Sequence, residues 1–132
     1  MAARDARLTV LELEIMKILW DTGPSPVQEV RDRLAAAGRD LAYNTVQTML
    51  NVLHRKGRVR RARDGRAFSY APVTTRLQAT RHAVGDLLGR MFDGRAEDLV
   101  MSLVETRRLT PETLTRLSRL LDDEKGGGHG RR

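Results

Sequence analysis

Four neighbouring polar residues, Asn44, Thr45, Gln47 and Thr48, have side chains suited to reading base pairs. An amide can pair in bidentate fashion with adenine in the major groove, and a threonine methyl suits the methyl group of thymine. A basic run follows. Between His54 and Arg66 stand Arg55, Lys56, Arg58, Arg60, Arg61, Arg63 and Arg66 with one acid, Asp64, so this stretch alone carries +6 where the whole chain carries +7. Elsewhere the signs are mixed: residues 1–72 hold 13 Lys and Arg against 8 Asp and Glu, and residues 73–132 hold 11 against 9. A cluster this concentrated points to phosphate contact rather than to a solvated face. Sequence readout would then fall to Asn44, Thr45, Gln47 and Thr48. Asn51, Arg55, Lys56, Arg60, Arg61, Arg63 and Arg66 would hold the DNA backbone. Tyr43 either packs at the start of the same segment or touches that backbone. The competing reading makes residues 44–51 the solvated side of an amphipathic helix. Against it, the segment carries amides and hydroxyls in place of the Glu/Lys pairs usual on an exposed face.

Most other chemistries lack their residues. The 132-residue chain has no cysteine, which removes disulfides, thiolate metal sites and thiol nucleophiles. His54, His82 and His129 are scattered, with no HExxH pattern and no glycine-rich phosphate loop. The acids Glu12, Glu14, Asp122, Asp123 and Glu124 read as capping and exposed charge. A packed or solvated His82 is the preferred reading over a pH or metal sensor. No enzyme activity, cofactor or metal is expected. Neither a signal-like apolar stretch nor a run of about 20 apolar residues appears, so the expectation is a cytoplasmic protein without a membrane partner.

The elements that must position these residues are marked by apolar spacing. Leu8 to Trp20 reads as a helix capped by Thr9, with Glu12 as capping-box partner, Leu8 stapled onto Leu13, and a stripe of Leu13, Ile15, Met16, Leu19 and Trp20. Ser25 as cap, Pro26 at the first helical position and Gln28 at the box position start a second helix presenting Val27, Val30 and Leu34 and ending near Gly38. Val46, Met49, Leu50 and Leu53 mark a third, closed by Lys56-Gly57. The period then changes. Two short runs flank Asp64-Gly65, a pair favoured at the centre of a type I′ hairpin turn. Beyond Pro72, Thr74 to Phe92 reads as a long helix with Leu77, Val84, Leu87, Leu88 and Met91 apolar. Ala96 to Glu105 follows with Leu99, Val100, Leu103 and Val104. A last helix starts at Thr110-Pro111, with Leu109 stapled to Leu114 ahead of Leu117, Leu120 and Leu121. Aromatic residues make up only 4% of the chain, so the core must be aliphatic and helical. The expected fold is mainly α with a small β-hairpin: a winged helix-turn-helix domain over residues 1–72, a helical lobe over 73–125 and a flexible tail over 126–132.

Three strings resemble the penicillinase repressor (BlaI/MecI) family of bacterial transcription regulators. They are Leu8-Thr9-x-x-Glu12-x-x-Ile15-Met16-x-x-Leu19-Trp20, then Leu41 through Leu50 with Leu53 and Lys56-Gly57, then Phe68-x-Tyr70-x-Pro72. The resemblance spans about Leu8 to Glu124. It implies a homodimeric repressor on a palindromic operator, controlling β-lactam-resistance or related stress genes, with half-sites separated by about 10 bp or a multiple. It also implies that the carboxy-terminal lobe intertwines with its twin. Leu87, Leu88, Met91, Leu99, Leu103, Leu117 and Leu120 would form the dimer core, with Val84 left unassigned. Apolar stripes too thin to close a core alone fit such pairing. Family induction by a sensor-pathway protease maps onto Leu99 to Glu105, where Ser102-Leu103 replaces the family's Asn-Phe. Leu103 therefore reads as dimer core ahead of a scissile position, and the cysteine-based sensing of copper-responsive relatives is excluded. The alternative function is a winged-helix module for protein or RNA contacts, its basic run meeting an acidic partner without operator specificity.

Overall fold

The first helix, α1 (Val10–Thr22), starts where Thr9 caps it: the Thr9 hydroxyl accepts the Glu12 N–H at 3.1 Å, and Glu12 Oε1 accepts the Thr9 N–H at 2.9 Å. This reciprocal pair satisfies two backbone donors that a helix start leaves open. The computed structural model describes residues 8–128, with side chains to Glu124. After α1 the chain forms β1 (Ser25–Pro26), α2 (Val27–Ala36), α3 (Tyr43–Arg55), β2 (Val59–Asp64) and β3 (Ala67–Pro72). Then come α4 (Arg76–Met91), α5 (Ala96–Glu105) and α6 (Pro111–Gly128). The fold is thus mainly α with a small antiparallel sheet, in the order of a winged helix followed by three helices. Two compact units divide between Val84 and Gly85, inside α4. Among the described residues no helix is long and apolar enough to cross a membrane.

The first unit closes on one aliphatic cluster. Ile15, Met16 and Leu19 of α1 meet Val27, Val30 and Leu34 of α2, Val46, Leu50 and Leu53 of α3, Val59 of β2 and Tyr70 of β3. Burying each such side chain contributes about 1.5–3 kcal/mol. The α1 stripe is turned slightly from the expected one. Leu13 and Trp20 are only half-buried, while Glu12 is 2% exposed and belongs to the buried face. Its carboxylate receives Lys56 Nζ from the end of α3 at 3.0 and 2.9 Å.

Ser25 and Pro26 do not start α2 as cap and first turn. They form a strand, Ser25 opposite Tyr70 and Pro26 opposite Ser69, on the edge of β3, giving the sheet order β1-β3-β2. The Ser25 hydroxyl donates to the Gly23 carbonyl at 2.9 Å and lies 2.7 Å from that of Thr22, so α2 has no side-chain cap. Gln28 bonds Asp32 on its own helix. Pairing wins here because β3 offers backbone groups that need partners, and Pro26, which has no N–H, suits an edge strand.

The hairpin turn is also displaced by one residue. Asp64 pairs with Ala67, leaving Gly65-Arg66 as the two-residue loop. Gly65 has φ 66° and Arg66 is not among the residues with positive φ, the pattern of a type II′ turn with glycine first, in place of type I′ at Asp64-Gly65. At the root of the hairpin, α3 ends in a Schellman motif. The Arg58 N–H bonds the Leu53 carbonyl at 2.9 Å and the Gly57 N–H bonds that of His54 at 3.0 Å, which requires the positive φ of Gly57.

The first turn of α4 is seated on the end of α1. Trp20 Nε1 donates to the Thr74 carbonyl at 2.9 Å, Arg76 pairs with Asp21 at 2.8 Å, and the Arg76 guanidinium lies 5.3 Å from the Trp20 ring centroid. Thr75 and Gln78 repeat the capping box there. No residue of α4 or α5 is buried. Leu87, Met91, Leu103, Leu117, Leu120 and Leu121 are 36% to 70% exposed, and Leu88 and Leu99 are half-buried. α6 runs three residues into the stretch expected as a tail, and residues 129–132 of that stretch lie outside those described.

α5 ends in the same Schellman pattern as α3, but with Arg107 at φ 63° where α3 has glycine. A side chain in that left-handed region costs about 1–2 kcal/mol, and glycine removes the cost. Arg107→Gly should therefore raise stability by about 1 kcal/mol. Urea unfolding checks this; an unchanged or lowered midpoint would refute it.

Candidate nucleic-acid interface

α3 divides into two faces. Val46, Leu50 and Leu53 point into the core, while Asn44, Thr45 and Thr48 are exposed and Gln47 is half-buried beside them. The residues named for base readout are thus brought together on one side of one helix. Tyr43, the first helical residue, is 38% exposed.

Asn51 sits lower on the same helix and has a different task from its neighbours. Its Oδ1 accepts the Tyr70 hydroxyl at 3.0 Å and Arg61 Nη1 at 3.1 Å. Tyr70 is 1% exposed, and a buried hydroxyl without a partner would cost about 1–3 kcal/mol. Asn51 therefore clamps the hairpin to α3.

The register of the hairpin then sorts the arginines. Side chains alternate along a strand, so Arg61 and Arg63 of β2 share a face with Phe68 and Tyr70 of β3, opposite which they stand. The bond from Arg61 to Asn51 identifies that face as the α3 side. Arg61 and Arg63 both lie over the Phe68 ring, at 4.5 and 5.0 Å from its centroid. Arg60 is on the other face, opposite Ala71, where it lines a cleft with Trp20, Pro72 and Arg76. Arg66 is exposed at the turn and Arg55 at the end of α3.

Two members of the basic run are engaged by partners within the unit. Lys56 places its ammonium on Glu12, with the lysine side chain 28% exposed. Arg58 is half-buried, its Nη1 donating to the Thr74 hydroxyl at 3.3 Å. The structure thus brings together Asn44, Thr45, Gln47, Thr48, Arg61 and Arg63, and separates Lys56 and Arg60 from them. Sequence reasoning found Glu12 as the capping-box partner of Thr9 but missed its burial and its pairing with Lys56, and it missed the contact of Arg61 and Arg63 with the Phe68 ring. The alternation of residues along β2 was the available signal for Phe68, since it places Arg61 and Arg63 on one face.

In the second unit, Ser102 is half-buried and Leu103 36% exposed, both inside helical α5. His82 is exposed on α4. Among the described residues no three His, Asp or Glu side chains gather as a metal-binding group.

A family model described as penicillinase repressor matches residues 8–123. The transcriptional regulator BlaI of Mycobacterium tuberculosis is 38% identical over 98% of this chain and 93% of its own. The penicillinase repressor of Bacillus licheniformis is 28% identical over 86% of this chain and 88% of its own. Among solved structures, hsRosR-S4 in a complex superposes with a TM-score of 0.54 over 94% of this chain and 93% of its own, at 16% identity, a likeness of fold. With the capping box of α1, all of α3 and the hairpin inside the matched residues, the chain belongs to the penicillinase repressor family.

Proposed function

We propose that the protein is a cytoplasmic transcriptional repressor that binds a palindromic DNA operator as a homodimer and needs no cofactor. Asn44, Thr45, Gln47 and Thr48 read the major groove, with Arg61, Arg63, Arg55 and Arg66 on the phosphates and Tyr43 beside them. The bond from Arg61 to Asn51 carries this reading, because it turns a basic face of the hairpin toward the same side as the polar face of α3. Helix and hairpin then present one surface on which amides face bases and guanidiniums face the backbone. Residues 1–72 make that contact, and residues 73–125 pair with a second copy.

Pairing is supported by the apolar side chains that α4, α5 and α6 leave exposed, Leu87, Met91, Leu103, Leu117 and Leu120 among them. Ser102 and Leu103 lie mid-helix, so a sensor-pathway protease would first have to unwind α5; Leu103 is assigned to the dimer core. The names of the relatives, a penicillinase repressor and methicillin resistance regulatory proteins, extend the proposal to β-lactam-resistance or related genes as targets.

Titrating duplex DNA from the gene's own upstream region at several salt concentrations tests the operator. Affinity should be sequence-selective and should fall steeply with salt, by a slope of about −0.9 for each phosphate neutralised. Equal affinity for random duplex would leave the protein- or RNA-binding alternative in its place. Gln47→Ala should lose about 1–3 kcal/mol of discrimination at one or two base pairs. Arg63→Ala should weaken all sequences alike. Retained selectivity in the Gln47 variant would move the reading face elsewhere.

Leu103→Asp should sediment as a monomer at concentrations where the parent chain is a dimer. A dimer of unchanged strength would remove Leu103 from the core.

A further inference from the structure

Arg63 stands directly across the hairpin from Phe68, and Arg61 two residues away opposite Tyr70. Both guanidiniums lie within 5.0 Å of the centroid of one phenyl ring. That is inside the ~6 Å over which an aromatic face attracts a cation. Two like charges on an exposed strand repel each other, and an arginine that serves only solubility keeps its rotamer freedom. Here one shared aromatic face attracts both guanidiniums, offsetting their repulsion and giving the two side chains a common contact. The ring itself is half-buried and packs on the core cluster of the first unit, so it is a fixed platform. Arg61 is held a second time, by Asn51 from the α3 side.

We propose that Phe68 is a positioning residue for DNA binding: its ring keeps Arg61 and Arg63 ordered on the α3 side of the hairpin, ready for phosphodiester oxygens. The proposal rests on the duplex-binding reading above and adds a residue that does not itself touch DNA. Its physical content is pre-organisation. Immobilising a long, flexible side chain on binding weakens an interface by roughly two- to tenfold, and here two such side chains are ordered beforehand. The charge that meets the phosphates belongs entirely to the arginines.

Two quantities separate the roles. Phe68→Leu keeps both charges and most of the apolar volume, so it should weaken duplex binding about tenfold, for operator and random DNA alike, with the slope against log salt unchanged. Arg61→Ala, which removes a charge, should reduce that slope by about 1 for each protomer. Phe68→Tyr retains the ring and should bind like the parent chain. In the Arg61→Ala/Arg63→Ala background, Phe68→Leu should have no further effect on affinity, since nothing is left to position. A Phe68→Leu protein that binds like the parent overturns the proposal. So does one that loses the same tenfold in the double-arginine background, because the ring would then act through the fold and not through the arginines. Failure of the parent chain to bind any duplex would overturn the DNA-binding reading itself, and this proposal with it.

Discussion

A single buried carboxylate fixes where α3 can lie. Glu12 is 2% exposed, and its oxygens take the N–H that opens α1 and the ammonium that closes α3. A carboxylate that deep is strongly destabilising without partners, so the carboxy end of α3 must sit against the amino end of α1. The helix dipoles favour the same arrangement, with negative charge at a helix start and positive charge at a helix end. Because β2 begins three residues after Lys56, the hairpin is launched from a point that Glu12 has already set.

Asn51 completes what Glu12 begins. One amide oxygen accepting from both Tyr70 and Arg61 fixes the rotation of the hairpin about its root as well as its origin. This gives the basic run a different meaning from the one its charge count suggests. Of seven cations, Lys56 is neutralised by a buried acid, Arg58 turns in toward Thr74, and Arg60 faces the cleft behind the sheet. Arg61 and Arg63 remain on the α3 side, with Arg55 and Arg66 exposed at the root and the tip. On the proposed duplex-binding reading, a few well-placed guanidiniums at fixed distances serve better than seven mobile ones, because phosphates recur at fixed spacing and each ordered side chain loses less entropy on contact.

Much of this was legible in the sequence, and the exceptions share a cause. The cap at Thr9, the core positions of α3 and the stop at Gly57 depend on residues within one or two turns, so local spacing reveals them. Ser25-Pro26 carried a helix-start signal and became a strand because β3, more than forty residues later, supplies its partner. The turn shifted by one residue because pairing continued as far as Asp64 and Ala67, and glycine is tolerated at either central position. Register also decided the arginines: parity along β2 separates Arg60 from Arg61, and which parity faces α3 is set by Tyr70 reaching Asn51. Composition locates the charge, but only tertiary pairing directs it.

The second unit shows the complementary limit. Its helices are amphipathic by pattern, yet no residue of α4 or α5 is buried within the chain, so the pattern is unsatisfied in a single copy. On the proposed dimer this has a consequence for how DNA binding could be controlled. Two reading heads joined through one lobe turn the second half-site contact into an intramolecular event, with an effective concentration that can reach the millimolar range. A head that binds one half-site weakly is then enough for tight operator binding, provided the lobe stays paired. The interactions of Glu12 and Asn51 tie α1, α3 and the hairpin together within the first unit. On this proposal, separating the two copies would remove the avidity while leaving the proposed base-reading and phosphate-binding side chains in place.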